Sequence, residues 1–258
     1  MFLLDHAKPF YTFLMSLQEY YEDSYRMERG LGPQDFKQDV IVESKVLYNY
    51  VVESKNKFLT NKDWQDLDVV EMGSGRGGLG LQLARLGAKI TLVDFSPTAL
   101  EQGVALFSAE GLEVKTEVAD VTHPDVKLPE KYDMIVDSHL LHCVTADPDR
   151  ASYYQLVLEH LKPQGIFVSE TMVHRKKLFI PDGFMFDPTN TLWQMFGKWT
   201  PVRRILDSLD LEQELNAAGF NIIYFVYYAD FGFVPHRRFM DIPAEVLPAS
   251  VRMVLKRK

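Results

Sequence analysis

The sequence predicts an α/β fold in which helices cover both faces of a mostly parallel sheet. Three observations support this. Between residues 67 and 171, short β-branched runs alternate with segments of helical periodicity. A glycine-rich turn joins the first run to the first of these helices. The chain has 258 residues, of which 47% are hydrophobic, which suits one decorated α/β domain.

The elements are predicted from runs of period two and of period 3.6, bounded by turn residues. The predicted strands are Asp68–Met72, Lys89–Asp94, Glu113–Ala119, Tyr132–Asp137, Gly165–Glu170, Asn221–Tyr228 and Ser250–Lys256. The predicted helices are Gly77–Leu86, Pro97–Glu110, Arg150–Leu161 and Leu209–Ala218.

Two further regions flank or interrupt this alternation. Residues 1–60 are predicted as a helical N-terminal cap, because Phe10, Phe13, Leu14, Leu17 and Tyr21 recur at helical spacing. Residues 61–258 form the main domain, with an insertion at about 174–205 after the fifth strand. The insertion is rich in Phe, Trp and Met, which indicates either the core of a small helical cap or an apolar, cation-binding pocket.

Charge and cysteine content exclude several classes of partner and site. The net charge of −8 argues against nucleic acid as a partner and favours neutral or cationic substrates. A single cysteine, Cys143, rules out an internal disulfide and predicts a cytoplasmic protein. No apolar run approaches the roughly 20 residues that span a bilayer, so no membrane association is expected.

A glycine loop is the strongest local motif. The string Val69-Val70-Glu71-Met72-Gly73-Ser74-Gly75-Arg76-Gly77-Gly78 carries a strand directly into a helix. Glycines allow a sharp turn and let the backbone lie against a ligand without a Cβ in the way. The loop therefore predicts a ligand site at the end of the first strand.

The loop alone leaves the ligand open. Gly73, Gly75 and Gly78 match the dinucleotide fingerprint, whereas Glu71, Gly73, Gly75 and Gly77 match the acidic-x-G-x-G-x-G pattern of methyltransferases. Asp94, at the end of the second strand, would accept the ribose hydroxyls of either cofactor.

Features beyond the loop resemble the class I S-adenosylmethionine-dependent methyltransferases. They are Ala119-Asp120-Val121 after the third strand, the turn Leu161-Lys162-Pro163-Gln164-Gly165, the segment Leu215-Asn216-Ala217-Ala218-Gly219-Phe220, and Val251-Arg252-Met253-Val254-Leu255-Lys256. The resemblance covers Val69 to Tyr228 and is expected to reach the C-terminus. It implies a Rossmann-like sheet of seven strands with the last antiparallel, and a helical N-terminal lid.

The resemblance also implies S-adenosyl-L-methionine as cofactor, with S-adenosyl-L-homocysteine as product. It places Glu71 near the methionine ammonium and Asp120 near the adenine amino group. The cofactor-binding residues that it implies are Glu71, Gly73, Ser74, Gly75, Gly77, Asp94, Phe95, Ser96, Asp120, Val121, Asp137, Ser138 and, from the lid, Tyr21. For Asp137, a role as a structural cap of the next turn is the alternative.

The segment Asp137–Cys143 follows the fourth strand and should border the acceptor pocket. His139 is the candidate catalytic base, and His142 lies three residues later. Alternatively, one of them contacts the cofactor or packs under the sheet. Asp137, His139 and His142 could also ligate a metal, but no second carboxylate cluster accompanies them, and no metal is expected.

These features favour methyl transfer to a nitrogen, oxygen or sulfur of a cationic or aromatic small molecule, and leave the oligomeric state open. A protein or RNA methyltransferase is the main alternative, which a basic surface at Arg175-Lys176-Lys177 and Arg203-Arg204 would favour. A nicotinamide-dependent oxidoreductase and a non-catalytic cofactor-binding module are the others.

Overall fold

The central feature is a twisted, mostly parallel sheet. A computed structural model describes residues 16–27, 47–174, 178–228 and 246–258. In these ranges the main strands follow the order β10-β11-β5-β4-β1-β2-β3, and the short β9 also pairs with β5. β11 runs antiparallel to both of its neighbours, whereas the other pairings along this path are parallel. The predicted seven-stranded arrangement with an antiparallel last strand is confirmed.

The bounds of the elements follow the sequence closely. The strands are β1 Asp68–Met72, β2 Lys89–Asp94, β3 Lys115–Val118, β4 Tyr132–Ser138, β5 Leu161–His174, β6 Phe184–Phe186, β7 Thr191–Met195, β8 Trp199–Arg204, β9 Leu206–Asp207, β10 Phe220–Tyr228 and β11 Ala249–Arg257. The helices are α1 Leu17–Met27, α2 at residues 47–58, α3 Gly78–Ala84, α4 Pro97–Ser108, α5 Asp147–His160 and α6 Ser208–Ala218.

Helices cover both faces of the sheet, as predicted. Successive residues of β1 enter different cores: Val69 packs with residues of α2, α3 and α4, whereas Val70 packs with residues of α5 and α6. Both side chains are fully buried. This is the burial expected for a parallel strand covered on two faces, and it explains the continuous apolar run Val69-Val70.

The insertion after β5 differs from one of the two predicted alternatives. It is a three-stranded antiparallel sheet of β6, β7 and β8, so the interpretation as a small helical cap is wrong. Asp187 organises the first turn by accepting hydrogen bonds from the backbone of Thr189 and Thr191 and from the indole of Trp193. Strands of only 3, 5 and 6 residues show too little sequence periodicity to be distinguished from irregular chain.

The N-terminal prediction is testable only in part. Of the predicted stripe, Phe10, Phe13 and Leu14 lie outside the described residues, whereas Tyr21 lies on α1. The division into a cap at residues 1–60 and a domain at 61–258 therefore stays a prediction. Within the ranges given above, no helix is long and apolar enough to cross a membrane.

Candidate functional site

The glycine loop forms a tight cradle at the carboxyl end of β1. Gly73, Gly75 and Gly77 all have left-handed backbones, with φ of 59°, 51° and 71°. A Cβ on Gly77 would lie 2.5 Å from Cδ1 of Leu92, and one on Gly75 would lie 2.7 Å from the hydroxyl of Tyr25. Both the backbone conformation and the space thus require glycine at these positions.

Two buried carboxylates hold this loop. Glu71 accepts a hydrogen bond of 2.7 Å from the Gly80 amide, and Asp94 accepts one of 2.8 Å from the Gly75 amide. Burial raises the pKa of Glu71 to about 8, and the nearby Asp94 and Asp137 add to this rise. Burial also raises the pKa of Asp94 to about 6. At neutral pH Glu71 is therefore mostly protonated and Asp94 mostly ionised, and a cationic group bound beside Glu71 would favour its carboxylate form.

The remaining residues on the donor side lie at the ends of β2 and β3. Ser96 is the N-cap of α4, where its hydroxyl accepts from the Ala99 amide. Asp120 follows β3 and uses one carboxylate oxygen to accept from the amide and hydroxyl of Thr122. Val121 is buried beside it. Phe95 directly follows Asp94 and packs edge-on against Tyr21, with 6.3 Å between ring centroids.

Helix α1 lies across these strand ends. Gln18 donates to the second carboxylate oxygen of Asp120 at 2.6 Å, and Glu22 accepts from the hydroxyls of Ser96 and Thr98. Sequence reasoning missed Gln18 and Glu22, because contacts between residues 74 to 102 positions apart leave no local pattern. The position of α1 agrees with the lid that the resemblance implies.

The donor-side residues fit S-adenosylmethionine. The loop presents backbone without side chains at its three left-handed glycines, and Asp94 stands at the strand end where ribose hydroxyls need an acceptor. On the resemblance, Asp120 would face the adenine amino group and Glu71 the methionine ammonium. The individual binding roles of these residues, including Ser74, Ser138 and Tyr21, stay predictions.

Asp137, near the end of β4, and His142, after it, have mainly structural contacts. Asp137 is fully buried and accepts from the Tyr153 hydroxyl at 2.8 Å and from the Leu140 amide at 2.7 Å. This geometry supports the alternative role of a cap for the turn. His142 is 1% exposed, and its Nδ1 accepts from the Met172 amide at 3.3 Å. Burial lowers its pKa far below the usual value, so it is neutral and packs under the sheet.

His139 has a different environment. Its Nε2 lies 3.7 Å from Oε2 of Glu170, a buried carboxylate in β5. Glu170 in turn pairs with Arg252 in β11, at 3.2 Å from its Nε. Burial alone would raise the pKa of Glu170, but His139 and Arg252 hold it below its usual value. His139 also has a φ of 77°, which is rare for a residue with a side chain.

Sequence reasoning missed Glu170 and Arg252, although both left a signal. Each is a charged residue within the buried stretch of its strand, and the two face each other across the β5–β11 pair. A buried charge of this kind needs a partner. Asp137, His139 and His142 do not converge on a metal, and among the residues that the structure describes no cluster of His, Cys, Asp or Glu has that geometry.

The basic segment that would favour a macromolecular substrate is divided. Arg203 donates to the hydroxyl of Tyr21 at 3.1 Å, whereas Arg204 pairs with Asp147 at 3.0 Å. Neighbours on a strand point to opposite faces, so these two arginines form no shared patch. Arg175, Lys176 and Lys177 lie outside the described residues.

Comparison with known proteins agrees with this geometry. A family model described as a methyltransferase domain matches residues 64–219, which is more than half of the chain. A ubiquinone biosynthesis O-methyltransferase of Rickettsia prowazekii is 25% identical over 185 residues, covering 67% of this chain and 69% of that protein. The mouse EEF1A lysine methyltransferase 2 is 27% identical over 110 residues, covering 40% of this chain and 45% of the relative.

Solved structures share the fold at low identity. The CcbJ methyltransferase of Streptomyces caelestis has a TM-score of 0.55 at 19% identity, covering 74% of this chain and 83% of its own. A DhpI–SAH complex has a TM-score of 0.53 at 15% identity, covering 93% and 97%. The [4+2]-cyclase SpnF has a TM-score of 0.59 at 16% identity, covering 81% of each chain. The fold therefore supports more than one reaction.

The family match decides between the ligands that the glycine loop left open. The matched range contains the loop and all the strands from β1 to β9. It removes the nicotinamide-dependent alternative, which rested on the glycine pattern and on Asp94, both of which also fit a methyltransferase. The chain belongs to the methyltransferase-domain family and is a class I S-adenosylmethionine-dependent methyltransferase.

Proposed function

We propose that this enzyme methylates a hydroxyl oxygen of a small aromatic molecule, with His139 as the general base. The observation that carries the proposal is the pair formed by His139 and Glu170, whose Nε2 and Oε2 atoms are 3.7 Å apart. A carboxylate behind an imidazole orients the ring and stabilises its protonated form. An oxygen acceptor also agrees with the O-methyltransferase among the relatives.

The donor side prepares the reaction by holding its ligand in place. When bound, S-adenosylmethionine supplies a methyl carbon that is activated by an adjacent positive sulfur. The loop at Gly73–Gly77 would hold it against the backbone, with Asp94 at the ribose and Asp120 at the adenine. Helix α1 lies over this edge and would exclude water from the reaction.

The acceptor side needs a base only if the nucleophile arrives protonated. A phenol has a pKa of about 10 and is therefore protonated at neutral pH. Burial lowers the pKa of His139, while Glu170 opposes this effect. The neutral imidazole can therefore take the phenolic proton as the oxygen attacks the methyl carbon. The contact with Glu170 then stabilises the resulting imidazolium.

The proposal is tested with a catechol, a phenol and an amine of matched ring structure. We expect the hydroxyl compounds to be methylated. In His139→Gln, kcat should fall about 10²- to 10⁴-fold, with affinity for S-adenosylhomocysteine unchanged. The variant should recover activity as the pH approaches that of phenol ionisation, because a phenolate needs no base.

His123→Gln is the matched control, because His123 is 60% exposed and lies away from this pair. It should behave as the wild type at every pH. Methylation of the amine alone, or an unchanged kcat in His139→Gln, would contradict the proposal.

A further inference from the structure

Arg203, in the insertion, brings a positive charge to Tyr21 of α1. It lies on β8, and its guanidinium donates to the Tyr21 hydroxyl at 3.1 Å and to the Val202 carbonyl at 2.6 Å. Arg204, the next residue, turns to the opposite face and pairs with Asp147. The strand thus separates a cation that faces the site from one that faces away from it.

The charge of Arg203 is not neutralised within the described chain. The two buried arginines there, Arg150 and Arg252, each pair with a carboxylate, Glu214 and Glu170 respectively. Arg203 has no such partner among the described residues; its contacts are an uncharged hydroxyl and a carbonyl. A partly buried guanidinium without an anion is unfavourable, and binding an anion relieves this.

The neighbours of Arg203 cannot supply the missing negative charge. The ionisable groups that act on its charge are the thiol of Cys143 and the hydroxyls of Tyr21 and Tyr20. Burial raises the pKa of all three. They are therefore neutral at neutral pH. Because arginine stays protonated under all ordinary conditions, a full positive charge faces this part of the site.

The position of Arg203 relates it to the acceptor. β8 packs against the segment Leu141–Cys143, which begins two residues after His139. The donor-side residues lie instead at the ends of β1, β2 and β3. Arg203 is thus on the same side as the proposed base, and two of its N–H groups are used by the contacts above, which leaves most of the guanidinium fork for a ligand.

We propose that Arg203 recognises a carboxylate on the methyl acceptor, so that the preferred substrates are hydroxylated aromatic acids. This deepens the proposed function and rests on it for the identity of the reaction. It also reverses, for this part of the site, the preference for cations that the net charge of −8 suggests. A planar guanidinium matches a carboxylate with two parallel hydrogen bonds, which gives selectivity over a neutral amide.

The test measures binding first, so that it does not depend on turnover. The wild type, saturated with S-adenosylhomocysteine, is titrated calorimetrically with 3,4-dihydroxybenzoate and with its amide. We expect the acid to bind at least about tenfold more tightly. In Arg203→Gln this preference should disappear. In Arg204→Gln, which changes the neighbouring arginine on the opposite face, it should persist.

Two outcomes would overturn the proposal. One is equal binding of acid and amide to the wild type. The other is a loss of S-adenosylhomocysteine affinity of about tenfold or more in Arg203→Gln, with acid selectivity retained, because Arg203 would then serve the carboxylate of the donor. Acid binding that depends on Arg203 but is not followed by methylation would instead contradict the reaction proposed above.

Discussion

Nε2 of Gln18 lies 2.6 Å from Oδ2 of Asp120, so a side-chain amide on α1 contacts the acid that the resemblance assigns to the adenine amino group. An amide NH₂ and an adenine NH₂ are donors of the same kind. The two would therefore compete for one carboxylate oxygen.

Removal of Gln18 should favour cofactor binding. In Gln18→Ala, Asp120 has no hydrogen bond from Gln18 to lose when the adenine amino group binds. Calorimetry should therefore show that S-adenosylhomocysteine binds about two- to fivefold more tightly. Gln155→Ala is the control, because Gln155 makes a similar exposed contact, to Glu159 on α5. Weaker binding in Gln18→Ala would mean that Gln18 holds the cofactor and does not compete with it.

Gly77→Ala should destabilise the protein through two separable effects. The left-handed backbone, with φ of 71°, costs a residue with a Cβ about 1–2 kcal/mol. The contact at 2.5 Å with Leu92 should add about 1–3 kcal/mol. Urea unfolding measures the total. Gly111→Ala provides the comparison, because Gly111 has a φ of 68° but no atom within 4 Å of an added Cβ. Equal losses in both variants would show that Leu92 moves aside without cost.

The pKa of Glu71 predicts how stability depends on pH. Burial raises it from the ordinary 4.5 to about 8 in the folded chain. As the pH rises, the carboxyl of Glu71 therefore loses its proton in the unfolded chain before it does so in the folded chain. Between pH 4.5 and about pH 8 this lowers the free energy of unfolding, by roughly 3–5 kcal/mol in total. In Glu71→Gln this effect is absent. As the pH rises from about 5 to about 8, the melting temperature of the variant should therefore fall less than that of the wild type. Parallel curves would show that Glu71 is ionised in the folded protein.

Glu170 should act as a positioning residue for His139. Glu170→Gln removes the charge that stabilises the imidazolium, so the pKa of His139 should fall further below its usual value. The acidic limb of the kcat/KM profile should then move to lower pH, and the plateau should fall about tenfold because the base is weaker. Glu214→Gln is the control, since it also removes the partner of a buried arginine, Arg150. A loss of stability in both variants, with no shift of the profile in either, would assign Glu170 a structural role alone.

The sequence predicted the sheet well because its strands are buried on both faces. Asp68–Met72 and Lys89–Asp94 agree with the structure to the residue, since a run of apolar residues ends in each case at a polar or glycine turn. β5 is longer than predicted, at Leu161–His174. It begins earlier because Leu161 pairs with Tyr132 of β4, and it ends later because pairing with β11 continues to Val173. Propensity cannot show the later end, which depends on a partner strand some 80 residues away.

The site was predictable where it depends on local backbone and not where it depends on long-range contacts. The glycines and Asp94 follow from a turn of fixed length. The insertion did not follow, because its order comes from Asp187 and from the pairing of short strands. Gly197 lies between β7 and β8 with a φ of 73°. A glycine at this point in the sequence indicates a hairpin turn, but the aromatic composition of the insertion favoured other interpretations.

Helix α1 joins two binding events in one thermodynamic cycle. It is hydrogen-bonded to Ser96 on the donor side, through Glu22, and to Arg203 on the insertion, through Tyr21. A ligand that orders the helix from one side lowers the entropy that remains to be lost when the other ligand binds. We therefore expect positive cooperativity between donor and acceptor. Linkage makes the effect reciprocal, so each should tighten the binding of the other by the same factor.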